Sequence, residues 1–98
     1  MEKRFEWNNR KNTANIKKHG VSFIEAAAVF HDPNRYEMLD QAHSYFEERW
    51  MVVGLSSAAI LKVCFTERYG AIRIISARKA DKNEEKRYLN GYSTFNAK

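Results

Sequence analysis

The feature that most constrains the fold is a change in hydrophobic periodicity at Asp32-Pro33. Before this dipeptide the apolar residues recur at helical spacing, and from residue 35 onward they alternate with a period of two, as in β-strands. The connections between the alternating segments are so short that neighbouring strands must be antiparallel. A polar segment with helix-capping residues follows. This order predicts an α+β domain with two N-terminal helices, a four-stranded antiparallel sheet and a C-terminal helix.

Each predicted helix has a start signal. The first follows Asn8 or Asn9 and runs to His19, with Gly20 in the position of a left-handed C-cap. The other two begin with capping boxes, in which a small polar residue is followed three positions later by glutamate. These boxes are Ser22-x-x-Glu25 and Asp81-x-x-Glu84. The second helix also carries an apolar stripe that predicts core packing, formed by Phe23, Ala26, Ala27 and Phe30.

The alternating segments predict four strands. They cover residues 35–39, 49–55, 60–66 and 72–77. In the last strand, alternation places Ile72, Ile74 and Ser76 on one face and Arg73, Ile75 and Ala77 on the other. The chain is predicted to form one domain over residues 1–92, followed by a flexible tail at 93–98. Trp7 and Trp50 are expected to pack in the core rather than stack on bases.

The chain lacks the residues that several protein classes need. Its single cysteine, Cys64, cannot form an internal disulfide. No apolar run approaches the roughly 18 residues of a membrane span, and the first residues do not resemble a signal peptide, so a cytoplasmic protein is expected. No Cys, His or Asp cluster has metal-ligand spacing and no glycine-rich phosphate loop is present, so neither a metal nor another cofactor is expected.

The formal net charge of +5 is unevenly distributed. Residues 1–24 hold six cations against two acids, and residues 49–98 hold ten cations against four acids. Between them, residues 25–48 hold Arg35 against six acids. A basic surface interrupted by an acidic segment indicates a polyanionic partner on one side, such as nucleic acid, and allows a basic partner on another.

The junction between the last strand and the last helix is the first candidate site. Two cations, Arg78 and Lys79, end the strand, and the helix that follows at once begins with N–H groups that have no partner within the helix. A phosphate would be held well at this point, although a basic surface loop is the alternative interpretation. A second candidate is a stripe on the first helix, which is either a solvated face or a binding face and consists of Lys11, Asn15 and Lys18.

A series of longer motifs runs from residue 5 to about residue 88. They are Phe5-Glu6-Trp7 with Lys11 and Asn15; Lys18-His19-Gly20-Val21-Ser22-Phe23 with Glu25-Ala26; Phe30-His31-Asp32-Pro33; Glu48-Arg49 leading to Gly54; Thr66-Glu67-Arg68; and Arg73 to Arg78 with Ala80, Glu84 and Tyr88. In content and order they resemble the BrnT family of bacterial type II toxins, within the wider RelE-like group of small ribonucleases.

The resemblance implies a RelE-like fold and an endoribonuclease toxin that cleaves RNA and inhibits growth. It also implies a cognate antitoxin, a small DNA-binding protein of the ribbon–helix–helix type, which holds the toxin inactive in a 2:2 complex. That complex would bind operator DNA through the antitoxin and repress its own operon.

RNA cleavage without a metal needs a base for the 2′-OH, cations for the dianionic phosphorane and an acid for the leaving 5′-oxygen. Arginine suits the phosphorane because its planar fork of N–H groups binds two phosphate oxygens. The catalytic candidates are Arg78 and Arg68 as cations, with His19, Lys18 and Tyr88 as acid or base. The candidates for binding RNA elsewhere are Lys11, Arg49, Arg73 and Lys79.

Each catalytic candidate has a structural alternative. His19 can be a helix C-terminal residue favoured by the helix dipole, Tyr88 can be a core aromatic, and Arg78 can bridge to a glutamate at the helix start. Arg68 and Arg78 are expected about 30 Å apart along a straight strand, so they are predicted to serve different groups. Two rival functions remain open: a non-catalytic nucleic-acid-binding domain, and a module that binds the antitoxin and co-represses transcription.

Overall fold

The computed structural model describes residues 3–57 and 59–91. Within these ranges, five strands form one sheet and three α-helices pack against it. The strands are β1 (Arg4–Glu6), β2 (Tyr36–Leu39), β3 (Trp50–Ser56), β4 (Ala59–Arg68) and β5 (Ala71–Lys79), and the helices are α1 (Asn9–His19), α2 (Phe23–Ala28) and α3 (Lys82–Leu89). Short 3₁₀ turns cover Val29–His31 and Gln41–His43. The predicted tail at 93–98 lies outside the described residues.

The predicted α+β class is confirmed, but the prediction of a four-stranded antiparallel sheet is wrong in one respect. The strand order is β1-β5-β4-β3-β2, and β2 to β5 form the expected antiparallel meander. β1 adds a fifth strand, which is parallel to β5. The sheet is therefore mixed. β1 has only three residues, too few for an alternation to reveal, and it is defined by pairing with a strand from the other end of the chain.

The local helix signals are confirmed. Asn8 caps α1 by accepting a hydrogen bond from the Lys11 N–H, and Gly20 ends this helix with a φ of 71°. In both capping boxes the N-cap side chain accepts from the N3 N–H and the glutamate accepts from the N-cap N–H. α2 ends at Ala28, before Asp32-Pro33, because the chain first tightens into a 3₁₀ turn.

The hydrophobic core lies between α2, the 3₁₀ turn after it and one face of the sheet. Its largest fully buried side chains are Phe23, Val29, Val52, Val63 and Ile74. The Phe30 ring contacts the rings of Phe5 and Phe65, with centroid distances of 5.4 and 4.9 Å. Trp7 packs edge-on against Phe23 at 6.1 Å, and Trp50 also packs against the core, as predicted.

A β-bulge interrupts the alternation predicted for β5. Two consecutive residues of β4 pair with Ser76 and Ile74, so Ile75 is an extra residue in β5. Beyond it the pattern is shifted by one position, and Ala77 rather than Ser76 is buried in the same core as Ile72 and Ile74. The predicted assignment of faces is therefore wrong past the bulge.

Asn15 is buried, so the predicted polar stripe on α1 does not exist as one surface. Its Nδ2 donates to the carbonyl oxygens of Val21 at 2.9 Å and Ala77 at 2.8 Å, and its Oδ1 accepts from the Ala77 N–H at 3.2 Å. The amide makes the two hydrogen bonds that a neighbouring strand would make to Ala77, at a point where the short β1 has ended. α1 thus packs along this edge of β5, and Lys11 and Lys18 stay exposed.

Gly54 allows the 3₁₀ turn after α2 to approach β3. A Cβ atom at this position would lie 2.8 Å from Cγ1 of Val29 and 3.0 Å from Cβ of Arg35, which is too close for carbon atoms. The Asp32 carboxylate lies at the same place and accepts the Leu55 N–H at 2.7 Å. A larger residue would therefore push the turn away from the strand.

Candidate nucleic-acid interface

The face of the sheet opposite the core, called here the outer face, carries a row of cations. The register places alternate residues of β4 on this face, opposite their partners on β5. The pairs are Lys62–Arg78, Cys64–Ser76, Thr66–Arg73 and Arg68–Ala71. Four cations therefore follow the β4–β5 ladder from one end of the sheet to the other.

The bulge at Ile75 decides on which face Arg78 lies. With uninterrupted alternation, Arg78 would share a face with Ile72 and Ile74, whose side chains are buried in the core. The extra residue moves Arg78 to the outer face, where it pairs in register with Lys62. A single irregularity in the strand thus aims this cation away from the core.

Arg78 is half-buried, and acceptors on α3 and on the backbone hold its guanidinium. Nη1 donates to Oε1 of Glu84 at 3.0 Å and to the Lys79 carbonyl oxygen at 2.9 Å, and Nη2 donates to Oε2 of Glu84 at 3.0 Å. The hydrogen bonds with Glu84 raise the pKa of Arg78 further and outweigh its partial desolvation. Arg78 therefore does form the ion pair with a glutamate at the helix start that was given as its structural alternative.

The guanidinium of Arg78 nevertheless keeps an open edge. Three of its five N–H donors are used, and Nε–H and the second Nη2–H have no partner within residues 3–57 and 59–91. These two N–H groups lie side by side, at the spacing that binds two oxygens of one phosphate. The ion pair with Glu84 orients the side chain without filling this fork.

Lys62 is a site residue that the sequence analysis missed. It lies opposite Arg78 on the outer face, is half-buried, and makes no ion pair with any described residue. The sequence feature that could have revealed it is the presence of a lysine within the apolar strand segment from Leu61 to Phe65. A charged residue at such a position must face solvent, a partner or a ligand.

Other predicted cations stand at the same end of the sheet. Lys79 is exposed at the end of β5. Lys18 and His19 are exposed in the last turn of α1, one helical turn beyond Asn15, whose amide is bonded to β5. Within the described part of the chain, no hydrogen bond or ion pair joins Lys18 or His19 to Arg78, and Lys79 contacts the Arg78 guanidinium only through its backbone carbonyl oxygen. The structure therefore brings these side chains to one end of the molecule, but no hydrogen bond or ion pair among the described residues joins the side chains of Lys18, His19 and Lys79 to that of Arg78.

Arg68 lies at the opposite end of the outer face. It is six residues along β4 from Lys62, the register partner of Arg78. The backbones of Arg68 and Arg78 are therefore about 20 Å apart, which is closer than the roughly 30 Å expected from the sequence. Arg68 is exposed, and both its Nε and its Nη2 donate to Oε1 of Glu47, at 3.2 and 2.9 Å. This hydrogen bonding raises the pKa of Arg68. The Nε and Nη2 donors of Arg68 are thus occupied by Glu47, whereas the corresponding donors of Arg78 are available for a phosphate.

The remaining predicted RNA-binding residues differ in their surroundings. Arg73 Nη1 donates to Oε2 of Glu6 at 3.3 Å, and Arg49 Nη2 lies 3.8 Å from a carboxylate oxygen of Glu47. Lys11 is exposed in the first turn of α1. Each arginine of the outer face therefore has a glutamate beside it, which an RNA phosphate would have to share or replace.

Exposed aromatic side chains mark the Arg68 end of the molecule, and the sequence analysis did not single them out. They are Tyr45, Phe46 and Tyr69. Tyr45 and Phe46 border a shallow depression together with Arg49 and Arg68, and Tyr69 occupies the β4–β5 turn. They lie in polar connections, where sequence alone does not separate exposed from buried aromatics.

Tyr88 joins α3 to the turn after α2. Its hydroxyl donates to Oδ2 of Asp32 at 2.5 Å. Burial, together with the hydrogen bond to Asp32, raises the pKa of Tyr88 to about 12. Burial also acts to raise the pKa of Asp32, but the hydrogen bonds from Tyr88 and from the Leu55 and Asn34 N–H groups, with the charge of Arg35, lower it overall.

Polar contacts, rather than apolar burial, hold α3 on the sheet. None of its residues is fully buried, and Leu89 is mostly exposed. Its polar contacts include the Arg78–Glu84 ion pair, the Tyr88–Asp32 hydrogen bond, a hydrogen bond from the Tyr36 hydroxyl to the Glu84 carbonyl oxygen at 3.3 Å, and one from Arg87 Nη1 to the Met38 sulfur at 3.6 Å. α3 therefore borders the outer face and is held there mainly by these polar contacts.

A comparison with known protein families gives a match over most of the chain. A family model described as "Ribonuclease toxin, BrnT, of type II toxin-antitoxin system" matches residues 7–84, most of the chain. The chain belongs to the BrnT ribonuclease toxin family. The resemblance carried by the sequence motifs is thus confirmed. No curated protein matches the chain at a significant level.

Membership of the BrnT family makes the protein a ribonuclease toxin of a type II toxin–antitoxin system, which implies an RNA substrate and a cognate antitoxin. The matched region contains Lys62, Arg68 and Arg78, whereas Tyr88 lies beyond it. Within residues 3–57 and 59–91, no three His, Cys, Asp or Glu side chains form a group that could hold a metal ion. In the same ranges no helix is long and apolar enough to cross a membrane.

Proposed function

We propose that this BrnT-family protein is a metal-independent endoribonuclease in which Arg78 binds the scissile phosphate. The observation that carries the proposal is the open Nε/Nη2 fork of Arg78, whose guanidinium Glu84 orients through the adjacent Nη1/Nη2 edge. Lys62 supplies a second positive charge across the ladder. Arg68 is a weaker candidate because Glu47 occupies the equivalent donors.

The reaction follows from the chemistry of RNA. The 2′-oxygen attacks the adjacent phosphorus while its proton passes to a base, the P–O5′ bond breaks, and the leaving oxygen takes a proton from an acid. The products are a 2′,3′-cyclic phosphate and a 5′-hydroxyl. The intermediate phosphorane carries two negative charges, which the fork of Arg78 and the ammonium of Lys62 would stabilise.

For proton transfer we propose His19 as the base, with Lys18 as the neighbouring acid or cation. A neutral imidazole accepts a proton readily at physiological pH, and the end of α1 flanks the end of β5. Tyr88 does not suit the role of base, because a pKa of about 12 keeps its proton in place and that proton is donated to Asp32. We assign Tyr88 to positioning α3.

The other cations of the outer face would bind the RNA on either side of the cut. Arg73, Arg68 and Arg49 lie toward the far end of the sheet, within about 20 Å of Arg78 along the ladder. Lys79 and Lys11 add positive potential near the β5 end and along α1. RNA running along the outer face would pass the ion pairs with Glu6 and Glu47, and its phosphates would compete with these carboxylates.

The activity is tested by incubating the purified protein with RNA in the presence of EDTA and analysing the ends of the fragments. We expect cleavage to persist and to leave 2′,3′-cyclic phosphate and 5′-hydroxyl ends. Loss of cleavage with EDTA and its recovery with a divalent metal would refute metal independence. Binding without cleavage under all conditions would favour the rival function of a nucleic-acid-binding or co-repressor module.

We propose that the cognate antitoxin is a ribbon–helix–helix protein that covers the basic surface, and that its dimer carries two toxins into a 2:2 complex on operator DNA. We propose a cytoplasmic location, which an RNA substrate supports. Co-expression with the adjacent reading frame, followed by mass measurement in solution, tests the stoichiometry. A 1:1 complex, or a chain that is harmless when expressed alone, would contradict this proposal.

A further inference from the structure

A cavity of about 210 Å³ lies between α3 and the sheet, beside the Arg78–Glu84 ion pair. The residues that line it include Met38, Met51, Lys62, Asp81, Asn83 and Glu84. The strands supply an apolar floor of methionine, valine and tyrosine side chains, and α3 supplies a polar rim. Lys62, which pairs in register with Arg78, forms part of the same lining.

The size of the cavity limits what it can hold. Sites for drug-sized ligands measure about 300–1,000 Å³, so a cavity of about 210 Å³ suits one ring system better than a whole nucleotide. Methionine side chains adapt to flat aromatic surfaces and make favourable sulfur–aromatic contacts. An aromatic ring therefore fits both the volume and the floor, which includes Met38 and Met51.

The rim of the cavity offers hydrogen-bonding groups to the edge of such a ring. Asn83 lines the cavity from the first turn of α3, and its side-chain amide makes no hydrogen bond within the described part of the chain. An amide carries both donors and an acceptor, which is the combination that reads the edge of a nucleobase. The carboxylates of Asp81 and Glu84 are already used in the capping box and the ion pair.

We propose that this cavity binds a single unstacked nucleobase of the RNA next to the scissile phosphate, and that Asn83 reads its edge. The proposal rests on the proposed ribonuclease function, because Arg78 and Lys62 would hold the phosphate that joins this base to the cut. A base flipped from a single strand presents apolar faces and a polar edge, which match the floor and the rim. The cavity would then set the base preference at the cleavage site.

Base binding is tested without catalysis, by NMR of the full chain carrying ¹³C-labelled methionine methyl groups. The chain has three methionines, two of which line the cavity. We expect the Met38 and Met51 signals, assigned with Met→Leu variants, to shift on addition of nucleoside 3′-monophosphates. Ribose 5-phosphate, which lacks a base, should leave them unchanged. Equal shifts with both probes, or no shift with either, would overturn the proposal.

The specificity is tested by mapping cleavage sites across a random RNA pool. We expect Asn83→Ala to reduce the base preference at one position beside the cut by about fivefold or more, the discrimination that a good side-chain contact provides. Asn90→Ala is the matched control, since Asn90 is an asparagine at the end of the same helix that does not line the cavity. An unchanged preference in Asn83→Ala would refute the assignment. If the wild-type chain does not cleave, the proposed function fails, and the NMR result still decides base binding.

Discussion

Arg78 and Glu84 form an end-on ion pair, with Nη1–Oε1 and Nη2–Oε2 distances of 3.0 Å each. Glu84 also accepts the Asp81 N–H in the capping box of α3, so one carboxylate fixes both the helix start and the arginine. The geometry leaves the Nε side of the guanidinium open. A side chain that is ordered before substrate arrives loses less conformational freedom on binding, which favours phosphate recognition.

The substitution Arg78→Ala is expected to reduce RNA cleavage by about 10²–10³-fold, the loss seen when one preorganised charge donor is removed. Arg78→Lys should recover only part of the rate, because an ammonium keeps the charge and lacks the fork. Because Arg78→Ala also breaks a contact of α3, Tyr88→Phe serves as the control that loosens the same helix and keeps the cation. Initial rates and melting temperatures should be compared. If Tyr88→Phe lost as much activity as Arg78→Ala, the role of Arg78 would be structural.

The Tyr88–Asp32 hydrogen bond should make stability depend on pH at both ends of the scale. Tyr88 has its pKa raised from 10.0 to about 12, so its contribution is complete below pH 10 and is lost as the pH rises toward 12. Asp32 has a lowered pKa, so its contribution is present above its ordinary value of 3.8 and is lost as the pH falls through the folded-state value. We expect Tyr88→Phe to cost about 1–3 kcal/mol between these limits. Urea unfolding of both proteins at pH 3, 7 and 11 measures the difference, which should be largest at pH 7.

The close approach at Gly54 predicts that Gly54→Ala destabilises the fold. The new Cβ would lie 2.8 Å from Val29 Cγ1, and the 3₁₀ turn would have to move. Overpacking of this kind costs about 1–3 kcal/mol. Chemical denaturation should show it as a lower midpoint at an unchanged slope, while Leu55→Ala, at the half-exposed neighbouring position, should have a much smaller effect. Equal stability of Gly54→Ala and the wild type would show that the turn can shift freely.

RNA affinity is expected to fall steeply with salt. If the four outer-face cations each neutralise a phosphate, counterion release from single-stranded RNA gives a slope of about −3 in a plot of log K against log salt. Affinity would then fall by about two orders of magnitude between 50 and 300 mM salt. Lys62→Ala should make the slope less steep by about 0.7, and Lys86→Ala, on α3 outside the cavity, should leave it nearly unchanged. A salt-independent affinity would contradict a polyanion-binding surface.

Local signals carried most of the fold prediction. The caps at Asn8, Ser22 and Asp81 depend on residues three positions apart, and the antiparallel meander follows from alternation and short turns. Such features depend only on residues that lie close together in the sequence, so they could be predicted. Arg78 was recognised as a candidate in the same way, because it directly precedes a helix start.

Features that depend on pairing between distant segments could not be predicted. β1 becomes a strand by pairing with β5, and the bulge at Ile75 exists only in relation to β4. Lys62 becomes a site residue because the register places it opposite Arg78. The burial of Asn15 likewise depends on Ala77, which lies 62 residues along the chain. In each case tertiary contacts overrode an assignment made from local pattern.

The hydrogen bonds of Asn15 also prevent a second copy of the chain from pairing with the edge of β5 at Ala77. A strand edge with free N–H and C=O groups is a template on which a second chain can pair, and such pairing leads to domain swapping or aggregation. Asn15 occupies both backbone groups of Ala77 where β1 no longer covers β5. A side chain from a helix thus terminates the sheet, and the strand that carries Arg78 stays closed to intermolecular strand addition at Ala77.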